Sequence, residues 1–314
     1  MPVAVHEVEV FESARARLEA IAYRLLGSAS DAEDAVQDTF LRWQSADHEL
    51  IETPEAWLTK VLTNLCLNRL TSARARRETY VGQWLPEPVF AGDRMLGPSD
   101  TAEQRESVSI AMLTLMERLT ARERVVYVLR EAFGYSHGEI AEVLDLTEAN
   151  CQQIHRRAKQ HLAADRRRVE VDAAAARRIV EEFLAAALSG RTDSLVKLLA
   201  EDVVSIGDGG GAVFSVPRPI TGALRVARFL RTLFTPSEAK WEMIGGRPDL
   251  YATVANGVPA LVMVVGERVA GVFALDVTAD GIAGVHAQAN PAKLARATSR
   301  WDASEHGEPL AGTW

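Results

Sequence analysis

Residues 136–162, SHGEIAEVLDLTEANCQQIHRRAKQHL, predict two short helices joined by a tight turn. Ser136 and Glu139 have the spacing of a capping box, which indicates where the first helix begins. A turn is expected at Asp145, and Thr147 is a suitable N-cap for the second helix. This arrangement is typical of a helix-turn-helix, whose second helix enters the major groove of DNA.

The second predicted helix has an apolar and a polar face. Apolar residues recur at helical spacing at Cys151, Ile154, Ala158 and Leu162. The start and outer face of the helix carry Thr147, Glu148, Asn150, Gln152, Gln153, Arg156, Arg157 and Lys159. Amides near the start of such a helix can reach base edges, and later cations can hold phosphates. DNA binding is therefore favoured over a plain helical hairpin with a solvated outer face.

An acidic amphipathic helix is predicted over residues 31–43, DAEDAVQDTFLRW. Ser30 and Glu33 have capping-box spacing, and apolar residues recur from Val36 to Trp43 as in a core-facing stripe. Acidic side chains share another face, where like charges one turn apart repel weakly. The charge pattern alone leaves two interpretations open, a surface for a basic partner and, more often, a solvated helix start.

Another helix is predicted over residues 53–70, TPEAWLTKVLTNLCLNRL, with Thr53 as N-cap and Pro54 in its first turn. One side of this helix carries an apolar stripe. The other side carries Trp57, Lys60, Asn64 and Asn68. A basic cluster follows, with Arg69, Arg74, Arg76 and Arg77. An exposed aromatic ring with amides and cations suits single-stranded DNA. The spacing is equally compatible with a core tryptophan.

Composition predicts a multidomain chain made of helical and α+β parts. We expect helical modules over 8–80 and 104–168, a Pro- and Gly-rich linker over 81–103, an α+β domain over 171–300 and a tail over 301–314. In the α+β part we expect a helix over 171–189, a strand Val203–Gly207, a helix Ala223–Leu233, and hairpin turns at Asn256-Gly257, Gly266-Glu267 and Asp280-Gly281.

Bulk properties exclude several classes of protein. The 314 residues carry a net charge of −8, which argues against a nonspecific DNA coat protein, and no apolar run is long enough to span a membrane. The two cysteines and the acidic N-terminal segment predict a cytoplasmic protein without disulfides. His137, His155 and His161 lack metal-site spacing and are expected on the surface. We expect no metal and no cofactor.

These helical segments, in this order, resemble the extracytoplasmic-function sigma factors of bacterial RNA polymerase. Residues 31–43 and 53–70 are similar to conserved region two, and residues 136–162 are similar to region four. ETYVGQWLPEP at 78–88, GDGGG at 207–211 and NPAKL at 290–294 resemble signatures of a subgroup with a C-terminal SnoaL-like extension. The chain departs from that subgroup at Ala212, where a basic residue is usual, and at Ala292, where an acid is usual.

The resemblance implies two all-α sigma modules followed by an α+β SnoaL-like cone, a curved sheet wrapped around a helix. It also implies binding to core RNA polymerase through the β flap and the β′ clamp helices, the latter by Asp31, Glu33, Asp34, Gln37 and Asp38. Trp57, Lys60, Asn64, Asn68 and Arg69 would hold the −10 element as a single strand, and the helix from Thr147 would recognise the −35 element.

The C-terminal extension is expected to regulate the sigma modules in cis, with or without a small ligand. Its implied regulatory residues are Trp84, Leu85, Pro86, Asp208, Gly209, Gly210, Gly211, Asn290, Pro291 and Lys293.

Two alternative functions stay open. One is a ligand-sensing helix-turn-helix regulator that binds duplex DNA without polymerase. The other is a cyclase or isomerase fused to a DNA-binding arm, using Asp208, Asp276 or His286 as acid or base. We expect no enzyme, because Asp208 has the context of a turn residue and His286 that of a core histidine.

Overall fold

The computed structural model describes residues 5–78, 80–162, 172–304 and 306–311, without the side chains of residues 5, 73–78 and 173. Within these ranges the chain forms two compact units. The first contains the described parts of Met1–Thr79, Gly92–Val108 and Met112–Asp165, and the second those of Tyr80–Ala91, Ser109–Ala111 and Arg166–Trp314. The predicted cationic residues Arg74, Arg76 and Arg77 lie outside the described side chains.

The N-terminal unit is helical. Its helices are α1 (Val5–Leu26), α2 (Ala29–Gln44), α3 (Pro54–Glu78), α4 (Ala102–Glu106), α5 (Ile110–Leu115, which begins in the segment belonging to the second unit), α6 (Ala121–Tyr127), α7 (His137–Leu144) and α8 (Glu148–Leu162). Helices α1, α2 and α3 pack on one another, and α6, α7 and α8 form a second group. No helix in the described ranges is both long enough and apolar enough to cross a membrane.

Helix α2 begins two residues earlier than the sequence pattern predicts. Its N-cap is Ser28, whose hydroxyl accepts from the Asp31 amide at 3.1 Å, so the capping box predicted at Ser30 is wrong. The reason lies in the preceding turn. Gly27, with φ of 66°, ends α1 by donating to the Tyr23 carbonyl at 2.7 Å, and α2 therefore starts directly after it.

The predicted helix-turn-helix is present. The capping box of Ser136 and Glu139 starts α7, and Asp145 ends it in the left-handed region with φ of 53°. The Thr147 hydroxyl accepts from the Asn150 amide at 3.3 Å at the start of α8. The apolar stripe that ends at Leu162 is buried. Short local signals therefore determine where both helices begin.

A buried arginine fixes the later part of the linker within the N-terminal unit. Arg24 is fully buried, which lowers its pKa to about 10. Its Nε donates to Ser107 Oγ at 2.8 Å, and its Nη2 donates to the Leu96 carbonyl at 2.6 Å. The next residue, Gly97, has φ of 64°, and a Cβ there would lie 2.7 Å from Ala20 Cβ. A side chain at position 97 would therefore displace this segment.

The second unit is a curved sheet with helices on both faces. Its helices are α9 (Ala173–Leu188), α10 (Thr192–Val196), α11 (Ala223–Phe234), α12 (Glu238–Ile244) and α13 (Pro291–Asp302). Its strands are β1 (Leu199–Asp208), β2 (Ile220–Thr221), β3 (Asp249–Ala255), β4 (Val258–Val265), β5 (Arg268–Thr278) and β6 (Gly281–Gln288). The strand order is β2-β1-β6-β5-β4-β3, with β1 and β6 parallel and the other neighbours antiparallel. This is the predicted SnoaL-like cone.

Alternation along the strands separates two cores. Phe273 and Leu275 of β5 face the core that α9 and α11 cover. Val272 packs on the other face with Trp301 of α13. Ala274 lies on that second face with Leu85 of the linker. Residues two apart on one strand thus serve the same face, and their neighbours serve the other.

The hairpin turns confirm the predicted connections. Asn256 and Gly257 have φ of 53° and 73°, as the two central residues of a type I′ turn require. Gly266 is the first loop residue between β4 and β5 and has φ of 62°. The third loop consists of Ala279 and Asp280, and Gly281, with φ of 113°, is the first residue of β6. The first two turns lie at their predicted dipeptides, and the third lies one residue earlier than the predicted Asp280-Gly281.

Candidate linker site and nucleic-acid interface

Asp208, the last residue of β1, binds the linker through a fully buried carboxylate. Its Oδ1 accepts from the Tyr80 hydroxyl at 2.6 Å and from the Gly210 amide at 3.0 Å. Its Oδ2 accepts from the Leu85 amide at 2.9 Å and from Lys293 Nζ at 2.6 Å. Asp208 thus makes the contact expected of a turn residue, because its carboxylate accepts from the amide two residues further on. Its remaining hydrogen bonds go to the linker and to Lys293, which lies 85 positions away in its own domain.

Lys293 balances this buried charge. Its ammonium donates to the Leu85 carbonyl at 2.7 Å as well as to Asp208. It also lies 4.7 Å from the ring centroid of Tyr80 and 4.3 Å from that of Trp84. A buried ion pair is tolerated only when its remaining donors and acceptors are satisfied. The two aromatic rings and the carbonyl supply that environment, with cation–π attraction from both rings.

Two amide side chains complete the network. Gln288 Nε2 donates to the carbonyls of Leu85 and Pro86 at 3.2 and 3.1 Å. Asn290 Nδ2 donates to the Tyr80 hydroxyl at 2.7 Å. Burial, followed by the hydrogen bond to Asp208, raises the pKa of Tyr80, so its hydroxyl stays protonated at neutral pH. Both linker carbonyls and the linker tyrosine are thus bound by the end of β6 and the residues after it.

The glycine run allows the loop after β1 to approach this network. Gly210 has φ of 59°, and a Cβ there would lie 2.3 Å from Asn290 Nδ2. A Cβ on Gly209 would lie 2.0 Å from the Val213 carbonyl oxygen. Ala212 and Ala292, the two departures from the subgroup pattern, are exposed. The network therefore forms without a basic or an acidic side chain at those positions.

A second set of contacts holds the linker a few residues further on. The Val89 amide donates to Asn256 Oδ1 at 3.0 Å, and the Asn256 amide donates to the Val89 carbonyl at 2.8 Å. The Ala91 amide donates to the Val254 carbonyl at 3.2 Å. Leu85 is buried in one cluster with Ile110. The first part of the linker, as far as Ala91, therefore belongs to the C-terminal unit, whereas its later part belongs to the N-terminal unit.

The structure brings together most of the predicted regulatory residues. Trp84, Leu85, Pro86, Asp208, Gly210, Asn290 and Lys293 share this network, Gly209 shapes its loop and Pro291 starts α13. A Cβ on Gly211 would lie 3.4 Å from Val81, so this glycine also borders the linker. Tyr80, Gln288 and Asn256 also bind the linker or belong to it, and none of them was predicted as a site residue. Tyr80 lies inside the quoted linker motif, but nothing local marks Gln288 or Asn256 as linker contacts.

The three candidate acid–base residues do not line the cavity of the cone. His286 Nε2 and Asp276 Oδ2 are 3.0 Å apart in a buried pair. A cavity of about 250 Å³ lies at the other face of the sheet, and its walls include Ser215, Phe229 and Phe273. Asp208, Asp276 and His286 are not among the wall residues. Asp208, Asp276 and His286 therefore lie on the face of the sheet opposite the cavity, where Ala274 packs with Leu85 of the linker.

In the N-terminal unit, the acidic face of α2 is partly neutralised by Arg69. Arg69 Nη2 lies 2.8 Å from Asp38 Oδ2, and its Nη1 lies 3.8 Å from Asp34 and 3.9 Å from Asp31. The Asp34 side chain is nevertheless 72% exposed, and Glu33 and Gln37 are exposed as well. The structure thus places Arg69 against the predicted polymerase-binding face rather than beside the exposed amides of α3.

The predicted −10 surface of α3 is partly covered within its own unit. The half-buried Trp57 packs on Trp43 with ring centroids 5.6 Å apart. Lys60 Nζ donates to Asp145 Oδ1 at 2.6 Å and to the Glu142 carbonyl at 3.0 Å, both at the end of α7. Asn64 and Asn68 are exposed. The first sigma-like module therefore contacts the helix-turn-helix through Lys60, one of the residues predicted to hold DNA.

All predicted −35 residues on and before α8 are exposed. Arg157 lies 3.8 Å from Glu123, and Lys159 lies 3.7 Å from Glu131. The remaining members of this exposed set are Thr147, Glu148, Asn150, Gln152, Gln153 and Arg156. They form the continuous polar face that the sequence predicts.

The expectation of surface histidines is wrong for two of the three. His155 Nε2 lies 2.8 Å from Glu131 Oε1, and His137 Nε2 lies 3.3 Å from His155 Nδ1. Both rings are half-buried between α7 and α8, whereas His161 is exposed. The helix-turn-helix geometry brings together histidines that are 18 positions apart. Among the described residues, no group of three or more His, Cys, Asp or Glu is arranged to hold a metal ion.

Comparisons with known proteins agree with these two units. A family model described as Sigma-70 region 2 matches residues 10–76, and one described as Sigma-70, region 4 matches residues 109–162. The chain is 40% identical over 225 residues to the ECF RNA polymerase sigma factor SigJ of Mycobacterium tuberculosis, covering 71% of this chain and 72% of the relative. It is 31% identical over 287 residues to the "Probable ECF RNA polymerase sigma factor SigI" of the same organism, covering 89% and 92%.

A solved structure extends the similarity to the C-terminal unit. The crystal structure of M. tuberculosis SigJ superimposes with a TM-score of 0.70 at 31% identity, covering 91% of this chain and 97% of that one. The matched part thus includes the cone as well as both helical modules. The chain belongs to the extracytoplasmic-function sigma factors of RNA polymerase.

Proposed function

We propose that this protein directs core RNA polymerase to promoters in the cytoplasm, and that its C-terminal unit restrains initiation by holding the linker between the sigma modules. The observation that carries the proposal is the attachment of the first part of the linker to the C-terminal unit. Tyr80 and Leu85 bind Asp208, and Leu85 is also buried in one cluster with Ile110. The proposal requires no chemical step by the cone.

Promoter recognition requires the two modules to separate. The −10 and −35 elements lie about 25 base pairs apart, roughly 85 Å along B-DNA at 3.4 Å per base pair. In this structure the modules touch, because Lys60 of α3 binds Asp145 at 2.6 Å and Thr59 lies 3.1 Å from the Tyr135 hydroxyl. The conformation is therefore one that cannot contact both elements at once.

The linker determines how far the modules can move apart. A fully extended chain from Leu85 to Ile110 would reach about 80 Å. Both residues are instead packed in one cluster of the C-terminal unit, which keeps the connection short. Release of the linker lengthens it, so the held and released forms differ in their ability to initiate. The C-terminal unit then acts by shifting the population between these two forms.

Run-off transcription with purified core polymerase tests the proposal. Tyr80→Phe removes the hydroxyl that joins Asp208 and Asn290 but keeps the ring beside Lys293. We expect initiation by the full-length variant to rise about fivefold, because one or two hydrogen bonds in the held form are lost. Tyr251→Phe, in β3 of the same unit, is the matched control and should initiate like the unchanged protein.

Equal or lower initiation by Tyr80→Phe would contradict the restraining role. If no form initiates at any candidate promoter while the full chain binds duplex DNA alone, the sigma assignment gives way to a ligand-sensing regulator that works without polymerase.

A further inference from the structure

The cavity of the cone has the character of a small-molecule site. Its volume is about 250 Å³, and its walls come from β1, β2, β4, β5, β6, α11, α12 and the loop after β1. Two wall residues, Phe214 and Met243, are large apolar side chains that are 75% and 51% exposed. An accessible apolar cavity with an apolar rim is the usual form of a ligand pocket.

One polar atom in the wall, the hydroxyl oxygen of Ser215, could form a hydrogen bond with a ligand. Among the described residues, none makes a hydrogen bond with the buried Ser215 Oγ. A buried hydroxyl without a partner is costly, and a ligand oxygen would satisfy it. Lys240, the only charged residue of the wall, instead donates its ammonium to the carbonyls of Thr232 and Thr235. The cavity therefore favours an uncharged, mostly apolar molecule with one hydroxyl or carbonyl group.

The volume limits the size of that molecule. An apolar cavity of about 150 Å³ holds benzene, with six carbon atoms, so a cavity of this size holds about ten non-hydrogen atoms. A fused two-ring compound or a short branched chain has that size. Larger polycyclic molecules would have to displace the wall.

The cavity and the linker site share one strand and one loop. Gly207 forms part of the cavity wall, and the next residue, Asp208, binds the linker. A Cβ on Gly207 would lie 2.8 Å from Ser215 Oγ, so the hydroxyl lies directly over the strand. The same loop also donates the Gly210 amide to Asp208. A ligand bound to Ser215 would therefore order the loop that supports the Asp208 carboxylate.

We propose that this cavity binds an uncharged apolar molecule of about two fused rings with one hydroxyl or carbonyl group, and that its occupancy strengthens the hold of Asp208 on the linker. The claim that the cavity binds a ligand depends only on the geometry of the cavity. The claim that the ligand affects transcription rests on the proposed restraint of the linker. The cone is then a sensor that lowers initiation when its ligand is present.

Binding is tested with 2-naphthol and naphthalene on the full chain, by titration calorimetry or naphthyl fluorescence. We expect 2-naphthol to bind more tightly than naphthalene. Ser215→Ala should lower the affinity for 2-naphthol about fivefold and leave that for naphthalene unchanged, because only one hydrogen bond is lost.

Two cavity-filling variants test the location of binding. A Cβ on Gly271 would be in ordinary contact with Met263 and Phe273, at 3.6 and 3.7 Å, so Gly271→Val should fold and should abolish binding of both probes. Ala287→Leu fills the cavity from β6 and should do the same. Leu224→Ala, at an exposed apolar residue of α11 outside the wall, is the control and should bind normally. Failure of both probes to bind, or normal binding by both filled variants, overturns the proposal.

Transcription separates the two parts of the proposal. We expect 2-naphthol to lower run-off initiation by the unchanged chain at least twofold, but not initiation by Gly271→Val or Tyr80→Phe. If 2-naphthol binds the cavity and Tyr80→Phe raises initiation, yet 2-naphthol has no effect on initiation, the coupling between cavity and linker is wrong. If Tyr80→Phe itself has no effect, the restraint of the linker is what fails, and the binding result is judged by the filled variants alone.

Discussion

At the scale of single residues, Asp208 is both fully buried and part of an ion pair, although burial usually disfavours a charged group. This is stable because Lys293 Nζ lies 2.6 Å away and because amides and a hydroxyl fill the remaining acceptor positions. The linker supplies two of those donors, the Tyr80 hydroxyl and the Leu85 amide. The interactions that stabilise the buried carboxylate therefore also hold the linker.

Replacing this carboxylate should destabilise the C-terminal unit strongly. Asp208→Ala leaves the Lys293 ammonium buried without its counter-charge, and we expect a loss of about 3 kcal/mol in the free energy of unfolding. Chemical denaturation measures it. Glu201→Ala, at an exposed position of the same strand, should change stability by less than about 0.5 kcal/mol. Adding Lys293→Met should recover part of the loss, and a purely additive double variant would show that the two groups do not act as a pair.

At the scale of elements, α8 has one face that packs and another that we expect to contact the −35 element. Its buried stripe attaches it to the unit, and its exposed face presents amides first and cations later. The order matters because the start of a recognition helix is closest to the base edges. Acidic side chains near Arg157 and Lys159 reduce the positive charge of its later part. Among the described residues, Arg156 has no acidic side chain within ion-pair distance.

Replacing an amide side chain and replacing a cation of α8 should therefore have different effects on promoter binding by the holoenzyme. Asn150→Ala should lower affinity for a promoter with an intact −35 element by about 1–3 kcal/mol and should relax base preference there. Arg156→Ala should weaken binding to all sequences similarly and should reduce the salt dependence of binding by about one phosphate contact. Binding titrations at several salt concentrations on intact and mutated −35 elements distinguish the two. Equal loss on both DNAs for Asn150→Ala would remove it from base recognition.

At the scale of the whole molecule, the proposed function requires the two sigma modules of the N-terminal unit to separate. The contact between Lys60 and Asp145 is half-exposed and accordingly weak, so polymerase and DNA can replace it at low cost. The native thiols are poor targets for labelling, because Cys66 and Cys151 are buried and burial raises the pKa of Cys66 to about 12.

A crosslink between the modules should therefore prevent initiation. We expect the double variant Lys60→Cys with Asp145→Cys, treated with a short bismaleimide, to lose at least about 90% of run-off transcription, because the modules can no longer reach both promoter elements. Each single variant treated in the same way is the control, and its activity is the level from which this loss is counted, because Lys60 is itself a predicted −10 contact. Full activity of the crosslinked chain, verified by mass spectrometry, would mean that separation of the modules is not required.

Much of this protein follows from its sequence, because the signals concerned are local. Caps at Ser136 and Thr147, the Asn256-Gly257 turn and the apolar stripe of α8 all act within a few residues, where propensity and hydrogen bonding decide the backbone. The motifs at 78–88, 207–211 and 290–294 also indicated which parts of the chain form the linker site. Only the tertiary structure decided how they do so. Tyr80 and Asp208 are 128 positions apart, and Leu85 and Gln288 are 203 apart. Contacts at such separation depend on which face of the sheet each strand residue occupies, and a hydrogen bond between buried groups forms only after the core has fixed both partners.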